Sequence, residues 1–223
     1  MEFLKSVQYF VFDFDGTLFN SAQHAPTIDR DLMIKHGVEN YKRSDFENQI
    51  AGLSGIDYMK FLKQQFQLQS DEAVMLADFY ELTGKVYAQC PFIDGAMELL
   101  RLLKQKGKKI GIATATGRKM FDLVFKVHPE LKQLSDCLVT CEEVGKSKPD
   151  PTVYLECLNR ISGNLKESAV FEDSLPGLQG AKATGMWVYG VISSENDKDL
   201  KQALCECYHK DLTQVLNYLK EVL

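Results

Sequence analysis

No run in this sequence reaches the roughly 18 uninterrupted apolar residues that a membrane-crossing helix needs. The amino-terminal MEFLKSVQYFVF has no basic region ahead of a short apolar stretch and no small-residue cleavage site, so no secretory leader is read there. These absences lead to the expectation of a soluble, cytoplasmic protein with no membrane partner. Basic clusters are missing too: 26 Lys and Arg are mixed among 31 Asp and Glu, for a net charge of −5. That leaves no footprint for a phosphate backbone, and nucleic acid is not expected as a partner. The six cysteines (Cys90, Cys137, Cys141, Cys157, Cys205 and Cys207) lack the spacing of a disulfide framework and sit mostly in apolar-periodic segments. They read as reduced core thiols. Cys205 and Cys207 form a C-x-C on an expected helix, where they would face different ways and make a poor metal pair. The chain also has no internal repeat and no low-complexity linker.

What is present is enough apolar material, 45% of 223 residues, to fill a core of one domain carrying an insertion. Short β-rich runs recur as VQYFVFD (7–13), KKIGIATA (108–115), CLVTC (137–141), SAVFED (168–173) and MWVYGV (186–191). Between the later runs lie amphipathic stretches of helical period: AMELLRLLKQKG, PTVYLECLNRI and LPGLQGAKATG. Strand alternating with helix predicts a parallel sheet covered on both faces. About ninety residues separate the first strand from the second, and they read as mostly helical, with start signals at Asp57 and at Ser70 followed by Asp71 and Glu72. That is too much helix for one crossover, so residues 18 to 90 are expected to be an inserted helical unit. The final KDLKQALCECYHKDLTQVLNYLKEVL reads as one or two helices, with Asp211 able to cap the last. Trp187 is expected in the core, and His36, His128 and His209 at the surface or at helix ends.

Residues two apart in a strand point the same way, so Asp13 and Asp15 in FVFDFDGTLF would project together from the carboxyl end of the first strand. Gly16 then lets the chain turn sharply. Asp-Gly is also an ordinary turn signal, but two carboxylates at the end of a buried strand repel one another, and a divalent cation would offset that. Other strand ends carry matching chemistry. IGIATATGRKM brings Thr114 and Thr116 ahead of Gly117 and a helix start, VGKSKPDP supplies Lys146 and Lys148, and AVFEDSLPG ends its strand in Glu172 and Asp173. Singly these are helix caps or solvated charges. Together they supply carboxylates, a hydroxyl, an ammonium and helix N-termini, which suits an anionic phosphate with Mg²⁺.

With DFDGT at 13–17, Thr114 in IATAT, Lys148 in KPDP and FEDSLPG at 171–177, all in that order, the sequence resembles the haloacid dehalogenase superfamily. The insert resembles the small helical cap of its subgroup containing β-phosphoglucomutase and phosphoglycolate phosphatase. The resemblance implies an α/β fold: a Rossmann-like parallel sheet core, residues 1–17 and 91–223, with an inserted α-helical cap domain, residues 18–90. It implies an Mg²⁺-dependent phosphohydrolase acting on a small phosphorylated metabolite such as a sugar phosphate or phosphoglycolate, as a monomer or weak homodimer. Asp13 would be the nucleophile and Asp15 the general acid and base. Thr114, Ala115 and Lys148 would hold phosphate. Asp13, Asp173 and the backbone carbonyl of Asp15 would ligate Mg²⁺, with Glu172 acting behind them; Lys146 stands as an alternative to Lys148.

AGLSGID, 51 to 57, resembles the cap loop that faces substrate, through Gly52, Leu53, Ser54 and Gly55, although an ordinary helix–helix turn would read the same. β-Phosphoglucomutases have an Arg where this chain has Gly55, and a cap-hinge His where it has Ala25, with His24 one position away. Both departures favour hydrolysis over a mutase, which must grip a bisphosphate. A non-catalytic binding protein on the same fold is the reading from another class.

Overall fold

The computed structural model describes residues 1–21, 23–193 and 195–223. The first strand, β1 (Tyr9–Phe12), leads into four helices: α1 (Ala25–Lys35), α2 (Glu47–Ile50), α3 (Gly55–Phe66) and α4 (Glu72–Tyr87). The chain returns through α5 (Ala96–Gln105), β2 (Lys109–Thr114), α6 (Arg118–Val127), α7 (Pro129–Leu134) and β3 (Cys137–Thr140). There follow α8 (Cys141–Val144), α9 (Thr152–Arg160), β4 (Ser168–Glu172), α10 (Leu175–Thr184) and β5 (Trp187–Val191), then α11 (Lys198–Leu204), β6 (Cys207–His209) and α12 (Thr213–Val222). All six strands pair in parallel in the order β3-β2-β1-β4-β5-β6. The order reverses at β1, so the crevice beyond the carboxyl ends of β1, β2 and β4 is where such sheets bind ligands.

Alternation along the strands builds two cores. Phe10, Phe12, Ile110, Ile112, Phe171 and Tyr189 pack on one face beneath α5, α6 and α12. Val11, Ala113, Val139, Val170 and Val188 face the other way, against Val153, Tyr154 and Leu178 of α9 and α10. The inserted helices have a third cluster of their own, formed by Leu32, Met33, Tyr58, Met59, Leu62 and Met75. Helix α3 starts where Ser54 accepts a hydrogen bond from the Asp57 N–H, and α4 where Asp71 accepts one from Ala73. Among the described residues no helix is long and apolar enough to cross a membrane.

The five strands read from the sequence are present; the sixth is a correction. The carboxyl-terminal stretch is helix, strand, helix, not helix alone. Cys205 ends α11 and Cys207 begins β6, so the C-x-C lies on no helix. Three residues at a sheet edge carry too few positions for a period to show, and β6 is held instead by pairing with Tyr189–Val191 and by Glu206, which accepts from the Val188 N–H at 2.7 Å. Trp187 is only partly buried, stacked on Phe3 with ring centroids 5.7 Å apart. Of the three histidines singled out, His36 and His128 stand at helix ends as expected, His209 lies in β6, and all three are partly buried. His36 ends α1 with its ring packed between Ser70 and Asp78, His128 lies edge-on to Phe19 and Phe92, and His209 pairs with the Tyr189 hydroxyl. All six cysteines are free thiols, and Cys137 and Cys157 stand 3.5 Å apart, sulfur to sulfur.

Phe171 is fully buried and stacks on both Phe12 and Tyr189, which ties β4 to its two neighbours. Phe171→Ala should lower unfolding stability by about 3–5 kcal/mol, read from urea denaturation, because the stacked rings leave a cavity that cannot collapse.

Candidate active site

The first strand ends in a tight turn. The Asp13 N–H still continues the ladder, donating to the Phe171 carbonyl at 2.9 Å, whereas the Phe14 carbonyl collects the N–H groups of Thr17, Leu18 and Phe19. Gly16 takes φ +89°, and a Cβ there would stand 2.3 Å from the Asp173 carboxylate. Both the backbone and the approach of Asp173 therefore require glycine. The turn signal and the paired carboxylates are the same feature.

At the centre lies the Lys148 ammonium, brought in by the loop between α8 and α9. It donates to Asp13 Oδ1 at 2.5 Å and to Glu172 Oε1 at 2.7 Å, with all three side chains nearly inaccessible. The Tyr154 ring stands 5.0 Å from Nζ, and its hydroxyl donates to Glu172 at 3.1 Å. Burial works against the charged lysine, but Asp13 and Glu172 outweigh it and hold its pKa well above the usual lysine value. Asp13 is pushed up to about 7, by burial first, with Lys148 opposing. Asp173 is also raised well above the usual carboxylate range, by burial and then by Glu172 and Asp13. Glu172 is further fixed by the backbone N–H groups of Asp173 and Ser174, at 2.6 and 2.7 Å. Ser174, not the Glu-Asp pair, caps α10. Lys146 points elsewhere, pairing with Asp150 at the surface.

Asp15 is held by three hydroxyls. Ser21 donates to Oδ1 at 2.6 Å, Thr116 to Oδ2 at 2.5 Å, and Tyr87 to Oδ1. Ser21 and Tyr87 flank the inserted helices on their way out and back, so both connections grip the same carboxylate. Sequence reading missed them. Ser21 lies six residues beyond Asp15 in a segment with no period, and Tyr87, 72 residues away, looks like an ordinary core aromatic at the end of a helix. Thr114 is fully buried at the end of β2, its Oγ1 accepting from the Thr116 N–H at 3.0 Å. Ala115, Thr116 and Gly117, the next three residues, reach the cavity, whereas Thr114 does not line it.

Asp13, Glu172 and Asp173 each present an oxygen within 4.8 Å of the others. Three crowded hard oxygen donors, two of them with pKa values raised by burial first and then by Glu172, fit a divalent cation of the Mg²⁺ type.

The inserted helices roof these groups and enclose a cavity of about 230 Å³. Ala51, Gly52, Leu53 and Gly55 line it, whereas Ser54 is buried at the start of α3. The loop is docked on the lysine segment: the Lys148 N–H donates to the Gly52 carbonyl at 3.2 Å, and the Ser54 N–H to Ser147 Oγ at 2.9 Å. Ser147 in turn donates to Asp57 at 2.6 Å, which keeps that carboxyl below its ordinary pKa. Ala25 lines the cavity beside His24, which stands at the start of α1.

Comparison with known proteins places this geometry. The sequence profile described as haloacid dehalogenase-like hydrolase matches residues 10–191. The bifunctional riboflavin kinase/FMN phosphatase of Arabidopsis thaliana is 28% identical over 181 residues, 81% of this chain, which spans about half (47%) of that relative's length. The phosphorylated carbohydrates phosphatase of Thermotoga maritima is 29% identical over 217 residues, covering 96% of this chain and 98% of that protein. Among solved structures, the β-phosphoglucomutase of Clostridium difficile superposes with a TM-score of 0.80 over 97% of this chain and 96% of its own, at 17% identity, a likeness of fold.

Removing the phenol that grips Asp15 leaves a half-buried carboxylate short of one of its three donors. Tyr87→Phe should therefore lower stability by about 1.5–3 kcal/mol in denaturant unfolding, more than a neutral hydrogen bond contributes. A loss within about 0.5 kcal/mol would mean that Tyr87 does not hold Asp15.

Proposed function

We propose that this chain, which belongs to the haloacid dehalogenase-like hydrolase family, is a phosphatase that removes phosphate from a phosphorylated carbohydrate with Mg²⁺ bound. The observation that carries this reading is the meeting of Asp13, Asp15, Lys148 and Asp173, from separate segments at the ends of the strands, on the floor of one cavity. The relative from Thermotoga maritima, aligned over nearly the full length of both chains, supports the carbohydrate part.

In this mechanism an Asp13 carboxylate oxygen attacks phosphorus in line with the leaving oxygen, forming an aspartyl-phosphate as the ester bond breaks. Asp15, beside it on the same turn, gives its proton to the departing alcohol. It then takes one from the water that attacks the aspartyl-phosphate, which frees phosphate and restores Asp13. Ser21, Thr116 and Tyr87 aim the Asp15 carboxyl for both transfers. Lys148 places a fixed positive charge beside Asp13 where the transferring group develops charge. Ala115, Thr116 and Gly117 line the cavity where phosphate would sit, and Thr114, buried beneath them, orders that turn by accepting from the Thr116 N–H. Asp13, Asp173 and the Asp15 carbonyl would hold Mg²⁺, with Glu172 steering Lys148 from behind. When bound, the cation supplies charge neutralisation for phosphate against the crowded carboxylates. Residues 18–90 act as a cap that excludes water during the first transfer.

A mutase would need a grip on a second phosphate from the cap loop, and Gly55 offers no side chain there, so hydrolysis is preferred.

Phosphate release from sugar phosphates and p-nitrophenyl phosphate should require Mg²⁺ and stop with EDTA. Asp13→Asn should reduce it at least about 10³-fold, measured as inorganic phosphate. Release that persists in Asp13→Asn would overturn the nucleophile assignment.

The Asp13 carboxyl also sets a pH dependence. Its pKa is about 7 when folded without metal, against an ordinary 3.8, so between those values the folded state holds a proton that the unfolded chain releases. The metal-free protein should therefore lose stability as pH rises from about 4 through about 7. Mg²⁺ takes the ionised form, so its thermal shift should be larger at about pH 8 than at about pH 6. Equal shifts would remove Asp13 from the metal site.

A further inference from the structure

The cap wall of the cavity carries three charged side chains among the described residues: Asp29, Arg43 and Glu47. Asp29, at 1% exposure, accepts from Arg43 Nη1 at 2.5 Å, and Glu47 Oε1 stands 3.5 Å from Arg43 Nε. The one guanidinium facing the cavity from the cap is thus flanked by two carboxylates, and the wall as a whole is not cationic. Arg has five N–H donors, so after these two partners it still has donors for neutral oxygen acceptors, while Glu47, the exposed carboxylate of the pair, supplies an acceptor and the Tyr58 hydroxyl is already paired with Tyr41 at 3.1 Å.

The cap loop adds no cation. Its only ionised residue, Asp57, is negative and turned to Ser147. Position 55 leaves little room for a side chain: a Cβ there would stand 3.0 Å from the tip of Leu76, which would have to give way, and 3.4 Å from the Tyr80 hydroxyl, an ordinary contact. Tyr80 fills that space and reaches across to the core at Gly117, whose own missing side chain makes room for the phenol. The phenol therefore occupies the ground from which a residue of the cap loop would have to reach an anion.

We propose that Arg43, clamped by Asp29 and Glu47, together with Tyr80, selects an uncharged, polyhydroxylated tail and rejects a second phosphate, so that the substrates are carbohydrate monophosphates. The inference rests on the phosphatase reading above and assigns the part of the substrate remote from the reacting phosphate. An incoming second phosphate would meet two carboxylates against one guanidinium already paired, a repulsion with no free cation to offset it. A hydroxyl-bearing tail meets alternating donors and acceptors beside apolar Ile28, Ile50 and Phe79, the mixture that suits the two faces of a sugar.

The test compares kcat/KM for p-nitrophenyl phosphate, glucose 6-phosphate and glucose 1,6-bisphosphate in the wild type, Glu47→Gln and Asp29→Asn, all with Mg²⁺. The wild type should prefer the monophosphate over the bisphosphate by at least about tenfold. Each substitution removes one negative charge from the cap wall and should narrow that preference by about fivefold, mainly through KM for the bisphosphate. Asp29 is buried and its variant must first be shown folded by circular dichroism; Glu47, at 45% side-chain exposure, carries the test on its own if it is not. Turnover of p-nitrophenyl phosphate and glucose 6-phosphate, with the bisphosphate hydrolysed equally well, would leave the phosphatase standing and overturn the selection. A preference unchanged in the folded variants would overturn the assignment to these residues. No turnover of any of the three would sink the phosphatase reading itself.

Discussion

Everything in this site is arranged around one buried cation. The Lys148 ammonium, shared by Asp13 and Glu172, could not be kept charged in the interior without both partners, and neither carboxylate could be kept there without it. That mutual requirement dictates much of the sheet. β1 and β4 must be neighbours so that Asp13 and Glu172 emerge side by side, and the loop between α8 and α9 must reach back past β2 to bring Lys148 to them. α9 must pack so that Tyr154 meets the ammonium with its ring and Glu172 with its hydroxyl. Even so the balance is incomplete. Asp173 adds a third carboxylate with no ammonium of its own, and this surplus of negative charge is what gives a divalent cation a reason to bind.

The second constraint is that the groups of the floor are tied to the roof. Asp15 accepts hydroxyls from Ser21 and Tyr87, one on each connection to the inserted helices, and from Thr116 in the core. The roof loop is in turn hydrogen-bonded to the segment that carries the central lysine, through Gly52, Ser54 and Ser147. A movement of the inserted helices would therefore disturb the carboxylate proposed to shuttle protons and the backbone beside the ammonium. This gives proton transfer and enclosure a shared physical basis without any residue that serves only as a signal.

The roof's own chemistry is of a different kind. Where the floor gathers charge, the cap wall cancels it: Arg43 is paired within a few residues of its own chain segment by Glu47 and across the helices by Asp29. In the proposed function, the contrast between a charged floor and a compensated wall would divide the cavity into a place for phosphate and a place for what phosphate is attached to.

The floor was legible before the fold because its residues stand in short local patterns. Asp13, Asp15 and Gly16 share one turn, Glu172 and Asp173 end one strand, and Lys148 precedes a helix start, so strand ends could be recognised and their chemistry listed together. β6 was not legible, since three edge residues carry no period and only the pairing with β5 makes them a strand. Nor were Ser21, Tyr87, Arg43 and Asp29, whose neighbours in the sequence say nothing about the partners that give them a role. By itself the sequence determined the alternating α/β architecture and the residues of the floor, because hydrophobic period and turn chemistry act between residues close in the chain. Which hydroxyls hold Asp15, how Lys148 is shared, and what charge the cap wall presents were decided by tertiary structure alone. Those are matters of distance between side chains up to 135 residues apart, which only packing brings within reach of a hydrogen bond.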